Sequence, residues 1–313
     1  MRIGLIDVDG HNYPNLPLMK ISAWHKAQGD HVEWYEPMFS GHMDKVYMSK
    51  VFSFTPDYEW CIDADEIIKG GSGYCISLVD GKEVFDKSKD IELPEEIEHI
   101  YPDYSIYPEL TKDTAYGFLT RGCPRGCQFC IVARKEGQCS RKVADLSEFW
   151  RGQKNIVLND PSILACPDHM ELLQQLVNSR AKVEFNQGID VRLITAENLG
   201  LLKRIRLDNI HIAFDRWQDK EIIEPRLREF VKKTGYNKNK GHTICYILCN
   251  FDTTIEQDIY RIQLCRELNI SPFPMIYDKE HCDSIYKKLQ RWCNNIIFWK
   301  VPTFEEYLKG AYA

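Results

Sequence analysis

Between residues 113 and 280, short apolar runs alternate with longer stretches in which apolar residues recur every three or four positions. The short runs predict β-strands, and the periodic stretches predict amphipathic helices. The predicted strands occupy residues 115–120, 155–159, 182–186, 209–214, 243–249 and 272–277. Strand–helix alternation with right-handed crossovers builds a parallel sheet, so this part of the chain predicts a six-stranded α/β unit, open or curled into a barrel.

The helix after the fifth of these strands has a distinct start signal. The sequence Thr253-Thr-Ile-Glu256 matches a capping box, in which a threonine and a glutamate three residues later satisfy each other's backbone N–H groups. We therefore expect Thr253 to cap this helix.

The first part of the chain repeats the alternation with shorter segments. Residues 2–8 predict a strand, residues 14–29 predict a helix, and residues 31–35, 45–52 and 59–63 predict further short strands. This pattern predicts a small doubly wound (Rossmann-like) domain over residues 1–90.

Two further segments complete the predicted domain organisation. The stretch from Asp80 to Pro108 is rich in charge and proline, and a linker is expected at residues 91–112. Residues 281–313 are expected to form a C-terminal cap, with Trp292, Phe298 and Trp299 as packing anchors. The α/β unit between them is assigned to residues 113–280.

Composition narrows the class of protein. The 313 residues carry a formal net charge of −6, which argues against a nucleic-acid partner, because such proteins usually show a basic excess. No run of about 18 apolar residues is present, so no membrane span is expected. The N-terminal residues predict a strand and not a signal peptide, so we expect a cytoplasmic protein. Twelve cysteines in such a chain indicate thiols or metal ligands more than disulfides.

Three of the cysteines lie within one octapeptide, Cys-Pro-Arg-Gly-Cys-Gln-Phe-Cys, at positions 123, 127 and 130. Pro124 and Gly126 favour a curled backbone, which can direct three sulfurs towards one metal centre. Zinc sites prefer four protein ligands, whereas three thiolates on a four-iron cluster leave one iron open to a substrate or cosubstrate. A zinc knuckle or a chance cluster of reduced thiols is the alternative interpretation.

The spacing C-x3-C-x2-C, with the aromatic Phe129 before the third cysteine, resembles the signature of the radical S-adenosylmethionine (radical SAM) superfamily. The resemblance implies that Cys123, Cys127 and Cys130 hold a [4Fe–4S] cluster whose open iron binds SAM. One-electron reduction, by a partner such as flavodoxin or ferredoxin, then cleaves SAM to methionine and a 5'-deoxyadenosyl radical. The superfamily fold is a six-stranded partial (β/α) barrel with the cluster loop after its first strand, so the resemblance covers residues 113–280.

The resemblance also implies cofactor-binding residues at strand ends, where parallel α/β folds build their sites. The backbone around Phe129 would lie beside adenine, and Asn159 and Asp160 occupy the place of the family's methionine-binding motif without its glycines. Asp160 could instead cap a helix. Polar residues at the next two strand ends suit ribose hydroxyls, the SAM carboxylate or substrate, with ordinary ion pairs as the alternative for the arginines: Gln187, Asp190, Arg192, Asp215 and Arg216.

The N-terminal domain resembles the cobalamin-binding fold at two places. Asp9-Gly-His11 resembles the start of its D-x-H-x-x-G motif, in which the histidine can bind cobalt, and Gly70-Gly71 resembles its later glycine pair. Pro14 stands where the last glycine of the motif belongs. The alternatives are that Asp9 and His11 belong to hydrogen-bonded turns or that this loop contacts substrate.

The leading prediction is a radical SAM enzyme acting on an unidentified substrate. The alternatives are a cobalamin-dependent radical SAM methyltransferase and a non-catalytic iron–sulfur protein, and a second cluster formed by the other cysteines stays open. A tRNA methylthiotransferase is disfavoured, because the N-terminal part has only Cys61 and Cys75 and the C-terminal tail is too short for an RNA-binding domain.

Overall fold

The computed structural model describes residues 1–79, 82–293 and 296–310. Asp80, at the start of the charged stretch, lies outside the described residues, as do residues 294–295 and 311–313 of the expected cap. None of the helices in the described ranges is both long and apolar enough to cross a membrane.

The strands, in chain order, are β1 (Arg2–Asp7), β2 (His31–Trp34), β3 (Met43–Ser49), β4 (Ala64–Gly70), β5 (Ile76–Val79), β6 (Lys82–Phe85), β7 (Thr114–Gly117), β8 (Thr120–Arg121), β9 (Arg141–Lys142), β10 (Asn155–Leu158), β11 (Lys182–Ile189), β12 (Arg206–Ala213), β13 (Ile244–Cys249) and β14 (Ser271–Ile276). The helices are α1 (Leu16–Ala27), α2 (Ser72–Cys75), α3 (Glu95–Glu98), α4 (Pro108–Thr111), α5 (Val132–Lys135), α6 (His169–Ser179), α7 (Ala196–Leu202), α8 (Lys220–Thr234), α9 (Ile255–Glu267), α10 (Ser284–Cys293), α11 (Ile297–Lys300) and α12 (Phe304–Lys309).

The chain divides into two compact units, residues 1–157 and 158–313. The first contains a four-stranded sheet in the order β2-β1-β3-β4, in which all neighbours are parallel. Helix α1 packs on one face of this sheet, where Leu18 and Ile21 meet Ile3 and Leu5. Its N-terminus is capped by Asn15, whose side chain accepts a hydrogen bond from the Leu18 N–H.

The opposite face of this sheet corrects one prediction. Residues 59–63 do not form a strand, because the fourth strand begins at Ala64. The preceding segment instead packs Tyr58 and Ile62 over the sheet, and the Asp63 N–H donates to the Tyr35 hydroxyl at 2.8 Å. These contacts hold the segment as a loop across the sheet.

Residues 91–112, where a linker is expected, contain the short helices α3 and α4. Two ion pairs, Lys20–Glu98 at 2.7 Å and Lys26–Asp103 at 2.6 Å, join this segment to α1. The segment is therefore folded against the N-terminal sheet region.

A second sheet has six strands in the order β14-β13-β12-β11-β10-β7. Five of the six predicted strands of residues 113–280 coincide closely with β10 to β14, which confirms the predicted parallel α/β sheet. The first, predicted at 115–120, is shorter in this sheet, because β7 ends at Gly117 and Thr120 pairs in the separate β8–β9 ladder. Helices α6 to α9 connect β10 to β14 in turn, and the register pairs Ile212 with Cys245 and Cys245 with Pro272. In α6, Leu172, Leu173 and Leu176 are buried on one face, as the apolar periodicity of an amphipathic helix predicts.

The core of the second unit lies between β12, β13, helices α8 and α9, and the C-terminal helices. Trp292 and Phe298 are fully buried in it, with their ring centroids 5.1 Å apart. Cys245 and Cys249 are also fully buried there, as alternate positions on one face of β13 require.

Candidate functional site

The three-cysteine loop is the connection that follows β8 and precedes α5. It is rooted on a short antiparallel ladder between β8 and β9. The Cys123 N–H donates to the Gly137 carbonyl at 3.1 Å, and the Cys130 N–H donates to the Cys127 carbonyl at 3.0 Å. Cys123, Cys127, Phe129 and Cys130 are all half-buried, so the loop is compact and its sulfurs remain near solvent.

The base of this loop depends on a glycine and a carboxylate. Gly122 has φ +84°, and a Cβ at this position would lie 2.2 Å from the Cys139 carbonyl oxygen. The Glu136 carboxylate accepts from the Gly122 N–H at 3.1 Å and from the Arg121 guanidinium at 2.8 Å. These contacts fix the point from which the cysteines project.

The donor set fits an iron–sulfur cluster by its chemistry, because thiolates are the ligands that such clusters prefer. No three Cys, His, Asp or Glu side chains within residues 1–79, 82–293 and 296–310 are gathered closely enough to hold a metal ion. Metal binding is coupled to the folding of its ligands, so a bound cluster would have to draw the three sulfurs together.

The ends of β10 and β11 bring two carboxamides together. Asn186 Nδ2 donates to Asn159 Oδ1 at 2.8 Å. Asp160, the next residue after Asn159, is only 3% exposed. Ser162 occupies the cap position of the helical turn that follows.

A bulge in β11 shapes this strand end. The register with β12 shifts between Phe185 and Ile189, which interrupts the ladder. The His211 ring nitrogen Nδ1 donates to the Phe185 carbonyl at 3.0 Å, and the Tyr246 hydroxyl donates to the Asn186 carbonyl at 3.3 Å. The two rings are stacked, with centroids 4.9 Å apart. They hold the bulge that leaves Gln187 exposed.

The arginines of the predicted site have different surroundings. Arg192 binds the carboxylates of Asp190 and Asp219 at 2.8 and 2.6 Å, so its guanidinium already serves two carboxylates. Asp190 also accepts from the Arg192 N–H at 3.0 Å. Arg216 is exposed. Of the two, Arg192 orders the local backbone, and Arg216 faces solvent.

Asp215 has a perturbed carboxyl group. Its Oδ1 accepts from the Leu248 N–H at 3.0 Å. Burial raises the pKa of Asp215 to about 6, although the Leu248 hydrogen bond and the charges of Arg261 and Arg192 lower it. A carboxyl group of this kind can hold or release a proton near neutral pH.

The sequence analysis missed three residues that organise these strand ends: His211, Asp258 and Arg261. His211 is the one polar residue in the apolar run 210–214, which was a usable signal. Asp258 and Arg261 resemble an ordinary surface pair on a helix, and only their complete burial distinguishes them.

The N-terminal loop residues form hydrogen-bonded turns. The Asp9 carboxylate accepts from the Val51 N–H at 2.5 Å and from the Thr55 hydroxyl at 2.6 Å. His11 is exposed, and its ring lies 4.2 Å from the Trp34 ring. Gly71 has φ +101°, and a Cβ there would lie 2.3 Å from the Lys50 carbonyl oxygen. The adjacent Gly70 has open space around it.

The carboxyl end of β1 carries another pair of interacting side chains. The Tyr107 hydroxyl donates to the Asp7 carboxylate at 2.7 Å, and burial raises the pKa of Asp7. Tyr107 also approaches the His11 ring edge-on, with centroids 5.7 Å apart. These contacts account for Asp7, Asp9 and His11 as parts of a packed turn region.

Comparison with models of protein families finds no match for this chain, and comparison with curated protein sequences finds none either. The features that bear on function are therefore the cysteine spacing, the parallel sheet and the polar residues at the strand ends.

Proposed function

We propose that this protein is a radical SAM enzyme. The observation that carries the proposal is the C-x3-C-x2-C sequence in a compact, solvent-accessible loop shortly after β7, a strand of a six-stranded parallel sheet. An α/β sheet of this kind supports the proposal, and a partial barrel around the cofactors is its finer, proposed form.

In this proposal Cys123, Cys127 and Cys130 hold a [4Fe–4S] cluster, and the fourth iron is left for SAM. When bound, the cluster supplies the electron for reductive cleavage of SAM, which starts radical chemistry on the substrate. The electron comes from a one-electron donor of the flavodoxin or ferredoxin class, and the proposed compartment is the cytoplasm.

The chain's own polar residues then bind SAM and substrate. Asp160, a buried carboxyl group, is suited to the SAM ammonium group, and Asn159 supplies amide groups beside it. The exposed Arg216 is suited to a carboxylate, which a guanidinium binds with two parallel hydrogen bonds. Arg192 would act by orienting Asp190, because the N–H groups of its guanidinium already bind the carboxylates of Asp190 and Asp219. Gln187 and Asp215 complete the proposed set.

The proposal is tested by anaerobic reconstitution with iron and sulfide, followed by SAM and dithionite and analysis for 5'-deoxyadenosine. We expect product from the wild-type protein and none from Cys127→Ala, which should also lose cluster absorbance. Cys139→Ala is the matched control, because Cys139 lies exposed on the same hairpin outside the motif. Undiminished product from Cys127→Ala would refute the proposal.

The same samples separate the alternative functions. A cluster whose EPR spectrum does not change when SAM is added would support a non-catalytic iron–sulfur protein. One equivalent of bound zinc and no iron would support a structural metal site.

Cobalamin-dependent methylation requires a corrinoid at the N-terminal sheet. In this version Asp9 and His11 contact the corrinoid, and Gly70 and Gly71 are the later glycine pair of the fold. Retention of cobalamin by the wild-type protein and its loss in His11→Ala would support this version. The contacts of Asp9 with Val51 and Thr55, and of His11 with Trp34, favour the structural interpretation of this loop.

A further inference from the structure

The carboxyl ends of β12 and β13 separate from one another. Their register runs from His211 with Ile244 to Ala213 with Tyr246, and one more backbone bond joins the Phe214 N–H to the Tyr246 carbonyl at 2.9 Å. Beyond that point, the Asp215 side chain accepts the Leu248 N–H in place of a backbone carbonyl. Side chains therefore hold the two strand ends where the ladder stops.

Arg261 of α9 completes this junction from the helix side. It is fully buried. Its Nη1 donates to the Phe214 and Asp215 carbonyls at 2.5 and 2.8 Å, and its Nη2 donates to the Leu248 carbonyl at 2.8 Å and to Asp258. One guanidinium thus binds the ends of both strands.

Asp258 extends the network to the turn after β13. Its Oδ2 accepts from the Asn250 N–H at 3.1 Å. Asn250 and Asp252 have φ +63° and +52°, the left-handed conformation that asparagine and aspartate tolerate better than other residues with a side chain. The buried pair therefore holds both strand ends and the turn that follows one of them.

A buried ion pair adds little stability for its own sake, because well-packed apolar residues of similar volume are often as good or better. The pair of Asp258 and Arg261 is better explained by the backbone groups that it binds. Each hydrogen bond that Arg261 makes outside the pair ends on a carbonyl of Phe214, Asp215 or Leu248.

We propose that Arg261, with Asp258 as its counterion, is a positioning residue that fixes the carboxyl ends of β12 and β13 and thereby the place and charge of the Asp215 side chain. The inference rests on the proposed function only in taking Asp215 as a contact of the cofactor or substrate. Four groups from three directions act on Asp215 or lie beside it: Arg192 after β11, Cys249 on β13, and Asp258 and Arg261 on α9.

The test follows the protonation of Asp215 in the full-length, cluster-free protein. Aspartate labelled with ¹³C at the carboxyl carbon reports each titration by NMR, and Asp215→Asn assigns the signal. Because Arg261→Met alone would leave Asp258 buried without a counterion, the main variant is Arg261→Met with Asp258→Leu, which replaces the pair by apolar groups. The variant removes one charge of each sign, but the Arg261 cation lowers the pKa of Asp215, whereas Asp258 is not among the groups that act on that pKa. We therefore expect the midpoint of Asp215 to rise by about one pH unit.

Two further variants separate positioning from general stability. Arg261→Lys keeps the positive charge but loses the planar guanidinium with its several N–H donors. The midpoint of the Asp215 titration should therefore shift less than in the double variant. Arg266→Met is the matched control, because Arg266 lies on the same helix and binds the Phe298 and Val301 carbonyls instead. It should destabilise the fold and leave the Asp215 titration unchanged.

An unchanged Asp215 titration in the folded double variant would overturn the inference, as would an equal shift in Arg266→Met. The second readout is the pH dependence of SAM binding to reconstituted protein, whose midpoint should move with that of Asp215. The titration midpoint of Asp215 could shift as expected while neither the wild-type protein nor the double variant binds SAM. In that case the positioning role of Arg261 stands and the proposed function fails.

Discussion

At the scale of single residues, the cysteine loop depends on two glycines with different surroundings. Gly122 and Gly126 both have positive φ, +84° and +57°. A Cβ at Gly122 would meet the Cys139 carbonyl oxygen, whereas at Gly126 it would meet nothing within 4 Å. A backbone carbonyl cannot move aside as a flexible side chain can, so the two glycines are expected to tolerate substitution differently.

Gly122→Ala should therefore destabilise the protein by about 2 kcal/mol or more, and Gly126→Ala by about 1 kcal/mol, the cost of the left-handed conformation alone. Urea denaturation measures both changes. After reconstitution, iron content should fall in Gly122→Ala much more than in Gly126→Ala. Equal losses in the two variants would show that the approach to Cys139 does not limit the loop.

Asp215 makes stability depend on pH. Its pKa is higher in the folded protein, about 6, than the usual carboxyl value, so the stabilisation is complete below pH 4 and is lost as the pH rises through about 6. Between pH 4 and 7, the wild-type protein should lose about 1 to 2 kcal/mol more stability than Asp215→Asn, since water partly screens this half-buried group. Denaturation curves at several pH values measure the difference. Parallel pH profiles for the two proteins would contradict it.

At the scale of elements, α9 shows how a start signal can be shifted by one residue. The cap is Thr254, not the expected Thr253, and the capping box is completed by Gln257 instead of Glu256. The Thr253 hydroxyl is buried without a hydrogen-bond partner among the described residues. Both threonines match the pattern, and the local sequence alone does not distinguish between them.

Thr254→Ala should cost about 1 kcal/mol, the usual effect of losing a cap side chain. Thr253→Val is the matched comparison and should be neutral or slightly stabilising, because it removes an unsatisfied buried hydroxyl without leaving a partner behind. Thermal unfolding of the two variants measures this contrast. A larger loss in Thr253→Val would restore the sequence-based assignment of the cap.

At the scale of the whole molecule, the C-terminal helices complete the core of the second unit. Trp292, Phe298 and Phe304 pack together there, and the Trp292 indole N–H donates to the Val301 carbonyl at 3.2 Å. Because these rings share one core with β12, β13 and α9, their loss should destabilise the sheet that carries Asp215.

Trp292→Ala should lower the free energy of unfolding by about 3 to 5 kcal/mol, as for other large aromatic residues in a core. Ile296→Ala is the control at an exposed position, and it should change stability by less than about 0.5 kcal/mol. Urea denaturation measures both. A small effect of Trp292→Ala would mean that the C-terminal helices stabilise only themselves.

The alternation of strands and helices follows from the sequence alone, because apolar periodicity is local and survives without tertiary contacts. Five strands of the six-stranded sheet lie close to their predicted positions, and the first ends earlier than predicted. The cysteine spacing is a covalent property of the chain. The prediction of a strand at residues 59–63 was wrong, because the packing of Tyr58 and Ile62, and not local propensity, decides the conformation of this segment.

Which polar residues hold the strand ends depends on tertiary packing and is not visible in the sequence. Asp258 and Arg261 are charged residues three apart on a helix, a pattern that usually lies on the surface, and burial is a property of distant packing. The bulge of β11, with His211 and Tyr246 on its carbonyls, likewise depends on three strands meeting. Local patterns specify elements, whereas the charge and placement of Asp215 arise from groups brought together by the fold.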